Sequence, residues 1–276
     1  MSKFNIQPAE IIRFENGQLQ SKQDVLSIED PLEIRVSHRE IINKVAITMR
    51  TPGFDKELAV GFLFTEGLIK NADVIENIQI SNHPEEGQIV KVKIQDSFDF
   101  SIEKIQRNFY TTSSCGVCGK ASIESVRTAC EISNPQNNFK VESRLLTDLP
   151  EKLKNTQESF SHTGGIHACA IFTNLGKFVA SFEDVGRHNA LDKLIGSRLL
   201  EKNIPIDNSI LLLSGRASFE LIQKAAMAGI SMICAIGAPS SLAVDLAEDL
   251  KICLVGFLKE NRFNVYTEFN RIVQIS

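Results

Sequence analysis

Three short and almost entirely apolar runs in the second half of the chain constrain the fold most. They cover residues 209–213, 232–236 and 252–255, and segments with helical spacing at 219–228 and 241–250 separate them. Strands that are apolar on both faces belong to sheets covered by helices on both sides. The chain is therefore predicted to be an α/β protein with a mixed or parallel sheet, in which ligands bind in loops at the strand ends.

The first hundred residues predict a smaller unit. Alternation of apolar and polar residues at 32–36, 44–49 and 89–94 favours half-buried strands, and the spacing over 55–67 favours a helix. Further along, residues 148–160 are predicted to form a single helix. The chain as a whole is predicted to be α+β and to divide into three parts. These are a strand-rich N-terminal α+β domain at 1–110, a mobile Cys-x-x-Cys loop at 111–125 and a larger domain at 126–276.

The composition restricts the cellular compartment in which the protein is expected and the kinds of partner that it can bind. The chain has 276 residues, of which 43% are hydrophobic and 23% charged, and these values are typical of a globular protein. A net charge of −4 argues against general nucleic-acid binding. No apolar run approaches the roughly 18 residues of a membrane helix, and the first residues lack the apolar core of a signal peptide. We therefore expect a cytoplasmic protein with neither nucleic acid nor membrane as a partner.

Two cysteines, Cys115 and Cys118, lie in a segment rich in glycine and serine. Thiols at this spacing can bind a metal, exchange a disulfide or carry a sulfur atom. A second Cys-x-x-Cys or His-x-x-x-His, which would complete a zinc site, is missing from the sequence. The flanks also differ from the strand-to-helix setting of a redox pair. The glycines and Lys120 suit an exposed thiolate, but from the spacing alone zinc, redox and sulfur-transfer chemistry keep roughly equal weight.

The remaining cysteines have apolar neighbours. Since the cytoplasm keeps thiols reduced, six cysteines do not predict a disulfide framework. A cysteine among apolar residues usually behaves as a small core side chain. This interpretation is applied to Cys130, Cys169, Cys234 and Cys253.

Four polar segments adjoin the predicted strands at 161–167, 183–193, 214–218 and 256–262. Each combines glycine with arginine, histidine, serine or lysine, a mixture that suits an anionic ligand. A single loop of this kind is more often only a polar turn with a helix cap. Four of them at the ends of one predicted sheet favour a shared anion-binding surface.

Several of these motifs resemble the FdhD family of sulfur carriers, which formate dehydrogenase activity requires. The resemblance covers almost the whole chain, and its motifs occur in the same order. Its most specific part is the run Glu-Asp-Val-Gly-Arg-His-Asn-Ala-Leu-Asp-Lys at 183–193. The other matching segments are 114–119, 163–167, 214–216, 238–243 and 256–262.

The resemblance implies a sulfurtransferase or sulfur carrier. Cys115 would accept sulfur from a cysteine desulfurase as a persulfide, and Cys118 would have a supporting role. The recipient would be the molybdenum (or tungsten) bis(molybdopterin guanine dinucleotide) cofactor, before it enters apo formate dehydrogenase. On the family's pattern, the cofactor-binding residues are Phe257, Leu258, Lys259, Glu260, Asn261 and Arg262.

The resemblance also implies a homodimer whose larger domain is similar to the cytidine deaminase fold, with three layers and a mixed sheet. A zinc deaminase itself is disfavoured, because its catalytic glutamate is replaced by Cys169 and its zinc cysteines by residues 214–218. No permanently bound metal is expected. The alternative is a non-catalytic chaperone that binds the cofactor during formate dehydrogenase maturation, and a zinc-binding protein is a distant third.

Overall fold

The structure is a computed structural model that describes residues 5–98, 100 and 139–274. The domain boundaries predicted at residues 110 and 125 lie outside this part of the chain. Within it, none of the helices is both long and apolar enough to cross a membrane.

A two-stranded ribbon and a four-stranded sheet form the N-terminal region, together with one helix. The elements are β1 (Ile6–Glu15), β2 (Gln18–Ser27), β3 (Asp30–His38), β4 (Ile41–Arg50), α1 (Asp55–Thr65), β5 (Ile75–His83) and β6 (Gly87–Ile94). Among the described strands, β1 and β2 pair only with each other, and the sheet has the order β4-β3-β6-β5. The ribbon contacts the rest of the chain near its base, where the Ser27 hydroxyl lies 2.8 Å from that of Thr163.

The C-terminal region alternates helices and strands as the sequence predicts. Its elements are β7 (Val141–Glu142), α2 (Ser143–Lys154), α3 (Glu158–Thr163), β8 (His167–Thr173), β9 (Phe178–Asp184), α4 (Arg187–Leu200), β10 (Ser209–Leu213), α5 (Phe219–Met227), β11 (Met232–Ala235), α6 (Ser241–Asp249), β12 (Cys253–Lys259), β13 (Arg262–Val265) and β14 (Ile272–Val273). The single helix predicted at 148–160 was wrong, because the chain breaks between α2 and α3.

Six strands build a mixed sheet in the order β13-β12-β11-β10-β8-β9. β10, β11 and β12 run parallel, while β8, β9 and β13 pair antiparallel with their neighbours. Every residue of β10 and β11 is buried, as expected for strands covered on both faces. The α/β class predicted from the apolar runs is confirmed.

Two apolar cores lie on opposite faces of this sheet. On one face, α2 packs against alternate residues such as Ala170, Leu212 and Cys234. On the other face, α1, α4, α5 and α6 pack together with the inner face of the four-stranded sheet. Ile34 and Leu194, from opposite halves of the chain, belong to this second core. The two halves are thus joined by a continuous apolar interior.

Candidate functional site

The polar segments predicted from the sequence meet at one edge of the six-stranded sheet. The carboxyl ends of β10, β11 and β12 lie there because these strands are parallel. β8 is antiparallel to β10 and therefore begins at the same edge, where His167 pairs with Asp184 at the end of β9. We call the edge formed by residues 214–216, 236–238 and 256–258 the strand-end surface.

Main-chain atoms form the floor of the strand-end surface. The amide of Gly237 donates to the carbonyl of Gly215 at 2.9 Å, and the amide of Phe257 donates to the carbonyl of Gly237 at 3.0 Å. A methyl group on Gly237 would lie 2.9 Å from the Gly215 carbonyl oxygen, and one on Gly256 would lie 2.8 Å from Cδ of Pro239. These positions leave no room for a side chain, so a ligand here would approach the backbone directly.

Asp184 and Lys193, the second and the last residue of the specific run, form a buried ion pair. The Lys193 Nζ lies 2.7 Å from a carboxylate oxygen of Asp184 and donates to the carbonyl of Thr51 at 2.8 Å. The carboxylate also accepts hydrogen bonds from the amides of Gly186 and Thr51. Burial lowers the pKa of Lys193, and the neighbouring Asp184 opposes that effect. Since Thr51 follows β4, this pair connects the two halves of the chain.

Asp192, in the same run, belongs to a second buried network. Its carboxylate accepts from the Thr65 hydroxyl at 2.8 Å and lies 3.0 Å from Lys224 Nζ. Lys224 also contacts Glu66 at 2.9 Å. Burial raises the pKa of Asp192 to about 6, although Lys224 and Thr65 act in the opposite direction. The network connects α1, α4 and α5. Asp192 therefore stabilises the packing of these helices and is not available to a ligand.

The Glu183 side chain also makes structural hydrogen bonds. Its carboxylate accepts hydrogen bonds from the amides of Ser159 and Phe160, both at 2.9 Å. These amides lie in the first turn of α3, where helix donors lack partners and an anion is favourable. Of the predicted anion-binding run, this leaves Arg187 and His188 as the side chains that can act on a ligand.

Arg187 is the first residue of α4, and its Nε is buried without a hydrogen-bond partner among the described residues. His167 and His188 lie near its positive charge. The pKa of His167 is lowered, first by burial and then by Arg187. The pKa of His188 is lowered to about 4 by burial, then by Arg187 and Lys224. Near pH 7 the group thus combines one cation with two neutral imidazoles at a helix N-terminus, which suits an anionic ligand.

A cavity of about 610 Å³ opens between α2, α3 and the strand-end surface. We call it the α2–α3 cavity. α2 contributes Glu151, α3 contributes Phe160, and Gln157 lies in the turn between them. The sheet edge contributes His167 and Glu260. Its volume is in the range of small-molecule sites.

A sequence profile described as the FdhD/NarQ family matches residues 27–273. The chain belongs to this family. The resemblance found in the motifs is thereby confirmed.

Relatives within the FdhD/NarQ family match along nearly the whole chain. Sulfur carrier protein FdhD of Streptomyces avermitilis is 45% identical over 268 residues, which cover 95% of this chain and 94% of the relative. The protein of the same name from Sulfurisphaera tokodaii is 40% identical and covers 97% and 99%. A crystal structure from Desulfotalea psychrophila, described as a formate dehydrogenase accessory protein, has 24% identity and a TM-score of 0.73 over 97% of this chain and 99% of that one. At that identity the match concerns the fold.

The six residues at 257–262 of this FdhD/NarQ family member do not share one environment. Phe257 has a left-handed backbone with φ 54°, and its side chain is 43% exposed. Leu258 is buried in the core beside α2, so only its main chain is available to a ligand. The others are exposed around the turn between β12 and β13, and Glu260 reaches the α2–α3 cavity. These residues stay predictions as a cofactor site, and Cys115 and Cys118 lie outside the described residues.

The described cysteines have the environment predicted for core residues. Cys169, Cys234 and Cys253 are free and buried, and burial raises the pKa of each thiol. Cys130 lies outside the described residues. Within 5–98, 100 and 139–274, no group of three or more His, Cys, Asp or Glu residues is arranged to hold a metal ion.

The sequence predicted the end of α3 as part of the site, through the segment 161–167, but not the contribution of α2 and Gln157. Gln157 lies at the break between these helices and is 93% buried, since its exposed fraction is 7%. The signal that could have found it is Pro150, which lies inside α2 and not at its start. A helix that already contains a proline in its interior is a poor candidate for extension over the whole of 148–160.

Proposed function

We propose that this chain is a cytoplasmic sulfur carrier that serves the maturation of formate dehydrogenase. The observation that carries the proposal is the relationship to proteins named sulfur carrier protein FdhD, at 40–45% identity over more than nine-tenths of the chain. The anion-suited strand-end surface adds a physical reason, because it offers a place for a nucleotide-bearing recipient of the sulfur.

The first step loads the sulfur. The thiolate of Cys115 attacks the terminal sulfur of a persulfide on a cysteine desulfurase. A sulfur–sulfur bond forms on Cys115 while the bond in the donor breaks, and the donor cysteine leaves as a thiolate. The product is a Cys115 persulfide, with no net oxidation.

The second step releases the sulfur and gives Cys118 a role. The Cys118 thiolate attacks the sulfur atom that is bonded to the Cys115 side chain. A disulfide forms between the two cysteines, and the terminal sulfur leaves with its electron pair as hydrosulfide. The two thiols supply both electrons of this reduction, so the recipient takes up sulfur at the sulfide level. A cellular dithiol then reduces the Cys115–Cys118 disulfide by thiol–disulfide exchange and is itself oxidised, which restores both thiols for the next cycle.

The recipient is the molybdenum (or tungsten) bis(molybdopterin guanine dinucleotide) cofactor, which is the substrate here and not a resident group. Its pyrophosphates are anionic, and Arg187 and Arg216 border the strand-end surface as cations. The Nε of Arg187 lacks a partner among the described residues, which supports such a role. The segment 257–262 would hold the guanine dinucleotide beside them. The proposal includes a homodimer and delivery to apo formate dehydrogenase.

The test is persulfide mapping with single cysteine variants. After incubation with a cysteine desulfurase and cysteine, the loop peptide should gain about 32 Da, the mass of one sulfur atom. Cys115→Ala should abolish this gain and the activation of formate dehydrogenase. Cys118→Ala should keep the gain and slow the release. Cys169→Ala, at a buried position, is the matched control and should change neither.

Two outcomes decide against the proposal. Full sulfur loading and full activation by Cys115→Ala would contradict the persulfide role of that residue. Nucleotide binding with no mass gain on any cysteine would favour the alternative, a non-catalytic chaperone that holds the cofactor for the apo-enzyme.

A further inference from the structure

The tip of the β1–β2 ribbon carries three large apolar side chains that face water. Ile12, Phe14 and Leu19 are 66%, 70% and 72% exposed. Phe14 pairs with Leu19 across the ribbon, and Ile12 lies two residues before Phe14, so all three share one face. We call them the tip trio. Single apolar residues on a surface are ordinary, but a contiguous cluster of them marks an interaction site.

The opposite face of the ribbon is charged. Arg13, Glu15 and Lys22 lie there, and the Lys22 Nζ is 3.1 Å from the Glu15 carboxylate. The ribbon is therefore amphipathic, and among the described strands β1 and β2 pair only with each other. A two-stranded hairpin by itself is at best marginally stable in water. A ribbon with one apolar face and no third strand thus calls for a surface that covers that face.

A second apolar cluster lies on the outer face of β4. Its members are each about half exposed or more, and they are Ile42, Ile47 and Met49. Thr48 points inward, where its hydroxyl donates to Asn189 of α4, so the residues on either side of it point away from the core. The register with β3 places Ile42 on the same outer side. We call this cluster the sheet trio.

The charged residues beside the sheet trio pair with one another. Arg35 contacts both Glu33 and Glu86, the latter at 2.6 Å. Lys44 contacts the same two carboxylates at 3.4 Å and 3.2 Å. Two cations and two anions therefore balance on this face. An apolar surface can cover it without burying an unpaired charge, which would be costly.

The available area favours one kind of occupant. Three side chains of this size and exposure present roughly 300–400 Å² in each trio, about half of the roughly 800 Å² that each partner buries in a stable interface. Packing of one tip trio on another would leave the sheet trio exposed. A different protein that covers only the ribbon would do the same. In a two-fold dimer, contact between the tip trio of one copy and the sheet trio of the other occurs twice. Each copy then buries both trios, and the sum reaches the usual size of an interface.

We propose that the β1–β2 ribbon is a dimerisation arm whose tip trio docks on the sheet trio of a second copy of this chain. The inference rests on the homodimer that the proposed function includes, and it names the contact surfaces. The base of the arm reaches the candidate site, because the Ser27 hydroxyl lies 2.8 Å from that of Thr163, the last residue of α3. Since α3 walls the α2–α3 cavity, a partner copy that holds the ribbon also stabilises that wall.

Analytical ultracentrifugation of the full chain tests the proposal. The wild type should be a dimer at micromolar concentration. Phe14→Glu and Ile47→Glu place a charge in one trio each, and each should raise the dimer Kd about tenfold or more. Both positions are exposed in the single chain, so the far-UV circular dichroism should not change. Leu175→Glu, at an 81% exposed position between β8 and β9, is the matched control and should leave the Kd unchanged.

Cross-linking between differently tagged copies tests the pairing of the two trios. One copy carries Leu19→Cys and the other carries Ile47→Cys, and serine replaces Cys115, Cys118 and Cys130 in both. A short bismaleimide, which joins two thiols, should link the Leu19→Cys copy to the Ile47→Cys copy. Links only between two Leu19→Cys copies would show tip-to-tip packing and overturn the proposal.

The remaining outcomes separate the contact surfaces from the proposed function. A dimer that persists unchanged in both glutamate variants overturns these surfaces but not the homodimer, and a weaker dimer in only one variant overturns the reciprocal contact. A monomeric wild type overturns the proposal together with the homodimer, and loss of binding to a cysteine desulfurase in Phe14→Glu would then assign the ribbon to that protein. Sulfur loading of Cys115 is measured separately by mass, so none of these results decides the carrier role.

Discussion

Gly61 of α1 and Gly196 of α4 bring these two helices into main-chain contact. A methyl group on Gly61 would overlap the carbonyl oxygen of Asp192 and lie 2.9 Å from the amide nitrogen of Gly196. A methyl group on Gly196 would overlap the carbonyl oxygen of Glu57. The helices meet where the N-terminal half of the chain packs on the six-stranded sheet. Both glycines are therefore required by close approach, although glycine weakens a helix by about 1 kcal/mol relative to alanine.

The first prediction concerns this crossing. Gly61→Ala or Gly196→Ala should lower the free energy of unfolding by about 3 kcal/mol or more, because the helices must separate to admit the methyl group. Urea denaturation measures the change. Lys56→Ala, on the exposed side of α1, is the control and should stay within about 0.5 kcal/mol of the wild type. A gain in stability at either glycine would show that the helices are not in such close contact.

The second prediction concerns the buried pair of Asp192 and Lys224. Lys224→Met leaves the Asp192 carboxyl group buried without a cation, which should cost about 3–5 kcal/mol at pH 8. The cost should be smaller at pH 5. Burial already raises the pKa of Asp192 above its unfolded value, so stability is greatest where the carboxyl is protonated and falls as pH rises through the folded pKa.

Urea denaturation of Lys224→Met at the two pH values tests this, with the double variant that adds Asp192→Asn as the control. The double variant should recover much of the loss, since no buried charge remains. An equal loss at pH 5 and pH 8 would contradict the role assigned to the Asp192 carboxylate.

The third prediction is a pH dependence that comes from His188. Its pKa is lowered to about 4, first by burial and then by Arg187. An unfolded histidine has a pKa of about 6.5, so the unfolded state binds the proton first as the pH falls. This contribution to stability is complete above about pH 6.5 and is lost between there and about pH 4. This loss of stability should be on the order of 3 kcal/mol in denaturation curves, and His188→Gln should remove it. An unchanged acid-side slope would argue against the buried neutral imidazole.

The fourth prediction separates the charge of Arg187 from the effect of burial. Arg187→Gln removes a cation that lowers the pKa of both His167 and His188. Both pKa values should therefore rise in an NMR titration of histidine-labelled protein. Because burial is the larger cause for each, neither should return fully to its ordinary value. Identical titration curves in the variant and the wild type would show that the Arg187 guanidinium does not lie near the two imidazoles.

The fifth prediction concerns the described cysteines. Burial raises the pKa of the Cys253 thiol to about 12, and it also raises the pKa of the Cys169 and Cys234 thiols. Iodoacetamide reacts with thiolates, so these three should stay unmodified in the native protein at pH 8. Peptide mass spectrometry measures the labelling, and the denatured protein serves as the fully reactive control. Rapid labelling of Cys253 in the native state would contradict its burial.

Burial explains which strands the sequence could predict. β10 and β11 are buried throughout, and such strands are recognisable as continuous apolar runs. β1 and β2 are mostly exposed, so their side chains carry no alternation that burial would impose. β5 is exposed over most of its length for the same reason. Strand pairing and turn geometry specify ribbons of this kind, and neither is visible in the hydrophobic periodicity of the sequence.

The site was predictable as a location but not as a set of contacts. The strand-end rule placed the polar segments correctly, because it depends only on strand direction. It could not tell that Asp184 pairs with Lys193 or that Asp192 pairs with Lys224, since such pairs are decided by how helices pack. Gln157 could not be assigned to the site from the sequence, because its place on the cavity wall depends on the break between α2 and α3.

The glycine floor of the strand-end surface has a consequence for evolution and for engineering. At Gly237 and Gly256, any other residue displaces a strand end before it can add a functional group. Selection for a different ligand can therefore act only on the walls, which are α2, α3 and the turn after β12. Libraries aimed at new cargo should leave the floor untouched and diversify the walls.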